Sequence, residues 1–208
     1  MENLDFNFCK VEEGECVTSE NEGESILIKD NLENVWMKIS STGKSVELKL
    51  FPENIPKSYI GSEAQANEEL TYDILCETEE DAIECKNFLS VFFVIGYGKT
   101  DTKRTWLCAL DLEDITHIFS SRVTHYYKIS YDAMKTSVNT LDYYKERGLK
   151  AIKTLFVCTH NVDLDEADKI AREFAKELSD NGMIWNQFII DESEERDNSV
   201  RVFYNEEG

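Results

Sequence analysis

Short apolar runs, each long enough for one strand, set the fold that this chain can reach. Ser25–Lys29, Asn34–Ile39 and Val46–Phe51 follow one another closely, and Thr42-Gly43-Lys44 supplies a turn between the last two, so a hairpin is expected there. Tyr72–Cys76 has the pattern of a further strand, and Lys103–Leu110 is strand-like by composition. Ile152–Cys158 is a continuous apolar run of the buried type, followed later by Ile184–Ile190 and Val200–Tyr204. With only 2 prolines and 9 glycines, a turn-dense all-β sandwich and long flexible linkers are both disfavoured.

Helices interrupt these runs. Thr78-Glu79-Glu80-Asp81 is a helix start, a hydroxyl N-cap with carboxylates in the first turn where the helix dipole favours them. Ala82, Cys85, Leu89 and Phe92 or Phe93 then form one face, and the helix should end near Gly96 or Gly98. Asp132 to Arg147 is expected to be helical and to close at Gly148. Asp163 caps a helix whose stripe is Ala167, Ile170, Ala171, Phe174 and Leu178, terminated by Asn181-Gly182. Asp111–Phe119 and Val123–Ser130 fit either state, the second being rich in β-formers.

The implied fold class is α+β. A mixed, largely antiparallel sheet, or two, carries two to three helices packed on one face and ends in a β-α-β-β unit. In that unit Val200–Tyr204 pairs with Ile184–Ile190 across the polar turn Asp191–Ser199. The organisation divides into an acidic loop or partly disordered segment at 1–24, a β-rich lobe with one helix at 25–121, and an α/β lobe at 122–208. One continuous domain is the alternative. Apolar residues at 41%, with 11 Phe, 9 Tyr and 3 Trp, argue for a folded globule. The 6 cysteines form no CxxC pair and sit mostly in apolar runs, which points to reduced, partly buried thiols. No basic-then-apolar leader opens the chain, and no apolar run reaches the roughly 20 residues needed to cross a bilayer, so a soluble cytoplasmic protein is expected.

Charge is the feature that bears on function. The formal net charge is −20. Between Lys57 and Lys86 no basic residue occurs, while Glu63, Glu68, Glu69, Asp73, Glu77, Glu79, Glu80, Asp81 and Glu84 do. Residues 11–28 hold Glu12, Glu13, Glu15, Glu20, Glu22 and Glu24, again without a base. A field of this sign repels nucleic acid and anionic membrane and attracts basic surfaces. In an extended chain Glu20, Glu22 and Glu24 would stand on one side about 6.8 Å apart, comparable with phosphate spacing along a nucleic-acid strand. The helix at 163–180 differs, because Asp165 faces Lys169 and Asp168 faces Arg172 at i,i+4.

Other constellations carry less. His160, Asp163 and Asp165 lie where a buried strand opens into a helix, a position for metal ligation or nucleotide binding. Acids in a first helical turn are equally explained by capping. Gly96-Tyr97-Gly98-Lys99-Thr100 ends like a phosphate-binding loop, but the position requiring a further glycine is Phe93 and the upstream segment is helical, so that reading fails. Cys158 and His160 share a strand side without an orienting group, and His117 and His125 are isolated. Tyr126, Tyr127, Tyr131, Tyr143, Tyr144 and Trp106, near Lys103, Arg104, Arg122 and Lys128, superficially resemble a nucleic-acid platform, but the surrounding charge makes core the better reading.

The expectation is therefore a non-enzymatic acidic protein that occupies a basic, nucleic-acid-binding surface of a partner protein and inhibits it, with no cofactor and no direct contact with nucleic acid or membrane. The strategy is that of nucleic-acid mimics, anti-defence inhibitors carried by mobile elements and nuclease immunity proteins, an analogy of charge alone. The partner-facing residues would be Glu12, Glu13, Glu15, Glu20, Glu22, Glu24, Glu63, Glu68, Glu69, Asp73, Glu77, Glu79, Glu80 and Asp81. Two alternatives stand beside it. One is a small enzyme or nucleotide- or metal-binding protein with its site at 158–168; the other is a structural or adaptor subunit.

Overall fold

The computed structural model describes residues 17–56, 59, 69–98, 104–106, 110–119, 123–130, 151–159, 165, 169, 183–191 and 199–206. Among the described residues there are ten strands: β1 Thr18–Glu22, β2 Ser25–Lys29, β3 Val35–Thr42, β4 Ser45–Leu50, β5 Leu70–Leu75, β6 Arg104–Trp106, β7 Thr124–Ser130, β8 Ala151–Thr159, β9 Met183–Asp191 and β10 Ser199–Glu206. They lie in the order β1-β2-β3-β4-β5-β7-β10-β8-β9-β6. The pairs β5–β7 and β8–β9 are parallel and the rest antiparallel. Helices α1 Glu79–Tyr97 and α2 Leu112–Phe119 share one face, where Phe203 of β10 meets Phe88 of α1 and Phe119 of α2. The fold is a mixed, mostly antiparallel α+β sheet, and it continues without a break past residue 122 through β5 and β7.

Strand alternation builds the first half. Ile26, Ile28, Met37, Ile39, Val46, Leu48, Leu50 and Ile74 all turn towards α1 and are buried. Gly43 opens the two-residue turn between β3 and β4 with φ +56°, a conformation that glycine adopts without steric cost. Helix α1 starts on a capping box: Thr78 Oγ1 accepts from Asp81 N at 3.0 Å, and Asp81 accepts from Thr78 N at 3.1 Å. From Phe88 onward the helix is apolar on nearly all sides, as befits an element wedged into the core. It ends at Gly98, where a Cβ would lie 2.9 Å from Val17 O, so the approach to the start of β1 needs glycine.

The loop joining β2 and β3 turns on one carboxylate. Asp30 accepts from Leu32 N (2.8 Å), Asn34 N (2.9 Å), Asn34 Nδ2 (2.9 Å) and Trp36 Nε1 (3.3 Å). Burial alone would raise its pKa, but these donors outweigh burial and hold it below the ordinary carboxylate value. A depressed folded-state pKa means stability that is present above the ordinary value and lost as pH falls through the lowered one. Asp30→Asn should therefore cost about 1.5–3 kcal/mol at neutral pH, the usual loss for bonds to a charged acceptor. The difference from wild type should shrink steadily on acidification when urea midpoints are compared between pH 7 and pH 2. A difference that does not change with pH would discard the assignment.

Two expectations are corrected. Residues 18–22, assigned to a loop, form the edge strand β1; residues 1–16 lie outside the described residues. The C-terminal unit also differs, because β10 does not pair with β9. It inserts between β7 and β8 and pairs antiparallel with both. The reason is visible in β10 itself: Val200, Val202 and Tyr204 on one face and Arg201, Phe203 and Asn205 on the other are all buried, the pattern of a central strand. The segment 111–119, which fitted either state, is the helix α2 from Leu112. Of the two other helices expected, 132–147 lies outside the described residues, and within 163–180 only Asp165 and Lys169 are described, both helical.

Candidate interaction surface

The face of β1–β5 turned away from α1 carries the charges. Its acids do not stand alone, because the antiparallel register brings lysines from neighbouring strands to them. Lys29 reaches Glu20 at 2.5 Å and Glu33 at 3.4 Å, and Lys38 reaches Glu22 at 3.3 Å. Lys49 lies 3.1 Å from Glu69 and 3.9 Å from Glu47. Hydrogen bonding to Glu20 and to Glu69 pushes the pKa of Lys29 and of Lys49 up, respectively. The alternating row at Glu20 and Glu22 is thus largely neutralised by the sheet itself.

One end of this sheet is different. The turns at Gly23-Glu24 and Gly43-Lys44, the exit of β5 and the start of α1 converge there. Cys76 N donates to Lys44 O at 2.8 Å, and Lys86 Nζ donates to the backbone oxygen of Glu24 at 3.0 Å. The carboxylates of Glu24, Glu79 and Glu80 are exposed at this end and join no ion pair among the described residues. Glu77 is also exposed, and its charge acts on Tyr127, whose pKa is raised first by burial and then by that carboxylate. Asp81 is occupied by the cap. Asp73, exposed and in no ion pair among the described residues, stands directly opposite Glu47 in the β4–β5 register. Like charges placed directly across a strand pair are destabilising.

Glu84, the last acid of the base-free run, points inward and joins the helix to the sheet. Its Oε1 accepts from Arg201 Nη2 (2.6 Å), Arg201 Nε (3.1 Å) and Lys128 Nζ (3.2 Å), and its Oε2 accepts from the Tyr126 hydroxyl. Arg201 is buried, donates to Ser199 Oγ at 2.7 Å and lies 4.1 Å above the Phe88 ring. Burial, then the Glu84 charge, push the Tyr126 phenol well above its ordinary range. The neighbouring Cys85 thiol, hydrogen-bonded to Cys76, is likewise pushed up, chiefly by burial. A buried thiol held in its protonated form is the opposite of an activated nucleophile. Sequence inspection did not single out this cluster, although an arginine inside Val200-Arg201-Val202-Phe203 signals a buried charge in need of a partner.

Glu12, Glu13, Glu15, Glu63 and Glu68 lie outside the described residues, as do His160 and Asp163. Asp165 is exposed on its helical position. Among the described residues no three His, Cys, Asp or Glu side chains are grouped to hold a metal, and no helix is long and apolar enough to cross a membrane. Phe93 lies within α1, so the segment before Gly98 is helix where a phosphate-binding loop requires a strand.

No protein-family model matches the chain, and no curated protein shows significant similarity to it. Among solved structures it is similar to an empty FtsZ dimer from M. jannaschii, at 18% identity over 62% of this chain and 39% of that one, with a TM-score of 0.39. A point mutant of FtsZ from M. jannaschii gives 17% identity, 62% and 41% coverage and a TM-score of 0.37. The chain spans about two fifths of the length of these FtsZ chains, and scores of this size lie below what a shared fold requires.

Proposed function

We propose that the protein is a non-enzymatic binding protein that occupies a basic, nucleic-acid-binding surface of a partner protein and blocks it. The observation that carries this reading is the facing of Glu47 and Asp73 across adjacent strands, beside Glu24, Glu79 and Glu80, which join no ion pair among the described residues at one end of the sheet. Elsewhere on the charged face Lys29, Lys38 and Lys49 come within 2.5–3.3 Å of Glu20, Glu22 and Glu69, whereas Glu47 has Lys49 only at 3.9 Å and Asp73 joins no ion pair among the described residues. A local conflict of that kind is expected where a partner resolves it. Lys and Arg lining a phosphate channel supply the complementary field, and such binding gains in association rate from steering and weakens with salt.

The test is displacement. The protein is titrated into complexes of a fluorescent oligonucleotide with a panel of nucleases and other nucleic-acid-binding proteins, at 50 mM and 300 mM salt. Displacement from at least one of them is expected at low salt, lessening at high salt. The neutralised variant, with Glu24→Gln, Glu47→Gln, Asp73→Asn, Glu79→Gln and Glu80→Gln together, should need about ten- to a hundredfold more protein, since rim charges act mainly on association. Displacement from none of the panel, or equal potency of the variant, would sink the proposal.

A further inference from the structure

Two of the large apolar side chains left in solvent flank the same acidic pair. Leu75 is 39% exposed and Val123 is 37% exposed. They sit at the parallel join of β5 and β7, where Ile74 is level with Thr124 and Leu75 with His125. Ile74 and Thr124 are fully buried beneath the helices, so alternation turns Asp73 and Leu75 outward on the opposite face. Val123, immediately before β7, is level with Asp73 on the adjoining strand, about 5 Å away by strand spacing. Glu47 adjoins Asp73 on the other side. The surface therefore presents two facing carboxylates, with Lys49 3.9 Å from Glu47, next to two exposed aliphatic side chains.

We infer that this β4–β5–β7 surface is the docking site for a cationic, amphipathic segment of a partner protein, one that sets Lys or Arg against Glu47 and Asp73 and an aliphatic residue against Leu75 and Val123. The inference rests on the function proposed above and specifies which face makes the contact. Charge complementarity chooses the occupant. A second copy would bring Glu47 and Asp73 against their own kind, and an anionic membrane or a nucleic acid would be repelled. Charge alone accepts any polycation; the aliphatic pair demands apolar groups interspersed with the cations, which bare polyelectrolytes lack. Exposed aliphatic side chains beside charge supply the part of an interface that salt does not weaken.

Three short probe peptides of equal length decide it: alternating lysine and leucine, lysine alone, and alternating glutamate and leucine. Binding to the full chain is followed by fluorescence anisotropy across a salt series. The lysine–leucine peptide should bind about tenfold more tightly than oligolysine, the advantage expected from covering a small aliphatic patch. The double change Leu75→Ser with Val123→Ser should abolish that advantage and leave oligolysine binding as it was. Asp73→Asn with Glu47→Gln should weaken both cationic peptides and flatten their salt dependence. All four positions are on the surface, and circular dichroism checks that each variant is folded. The inference is overturned if native protein binds the two cationic peptides alike, if the serine variant retains the preference, or if the glutamate–leucine peptide binds as well. Dimerisation of the native chain that the serine variant abolishes would also overturn it, by assigning the face to a second copy. Oligolysine binding without regard to Leu75 and Val123 removes this inference only. Failure of every cationic probe removes the proposed function as well.

Discussion

Glu84→Ala should destabilise the protein by about 3–5 kcal/mol, because it removes the carboxylate that accepts two hydrogen bonds from a buried cation. Arg201 lies under α1 with its side chain only 5% exposed, and both Nε and Nη2 donate to the one Glu84 oxygen. Removing the carboxylate also strands the Tyr126 hydroxyl, whose bond to it closes the other side of the cluster. Lys128 matters little here, since its side chain is 36% exposed and water replaces the lost partner. Urea unfolding followed by tryptophan fluorescence gives the value directly. The informative comparison is the double variant Glu84→Leu with Arg201→Met, which should recover most of the loss, as buried ion pairs are often replaceable by apolar groups of similar size. A loss below 1 kcal/mol for Glu84→Ala would mean that the pair is solvated in solution.

Phe203→Ala should cost a similar amount, about 3–5 kcal/mol, for a different reason: it opens a cavity at the point where both helices meet the sheet. Phe203 has no exposed surface, and its ring centroid lies 5.1 Å from Tyr126, 5.6 Å from Phe119 and 6.3 Å from Phe88. Few atoms can move in to fill the space, since the neighbours belong to three separate elements. The cost should fall to about 1 kcal/mol for Phe203→Leu, which retains most of the volume. Thermal unfolding of the two variants under identical conditions distinguishes them, and equal shifts for alanine and leucine would refute the cavity argument.

The parts legible from sequence were those governed by neighbours in the chain. Thr78 and Asp81 announce the start of α1 because the capping box spans only four residues, and Gly43 marks the β3–β4 turn because the φ requirement is local. Strand β1 escaped notice since Thr-Ser-Glu-Asn-Glu has no apolar alternate residue to report a buried face; every one of its side chains is exposed. Its one local sign was Gly23 followed by Glu24, the same glycine-first turn as at Gly43. The placement of β10 was hidden for another reason. A polar turn after β9 suggests a hairpin, whereas the true neighbours β7 and β8 lie tens of residues upstream. Burial on both faces, spelled out by Val200 to Tyr204, was the available clue. The charges follow the same division: a linear scan finds runs without lysine, but strand pairing brings Lys29, Lys38 and Lys49 to Glu20, Glu22 and Glu69. That same pairing sets Glu47 opposite Asp73, with Lys49 no nearer to Glu47 than 3.9 Å.

The position of β10 also dictates an order of assembly. The strand that comes tenth along the chain fills the gap between the seventh and eighth, so β7 and β8 each wait with an unsatisfied inner edge until it arrives. Closing that gap requires pairing across a long stretch of chain, which slows folding and keeps two apolar edges open to foreign strands meanwhile. The hairpins β1–β2 and β3–β4 carry no such delay. The half of the sheet bearing the acidic surface is therefore able to form early, while the other half depends on its last arrival for a closed centre.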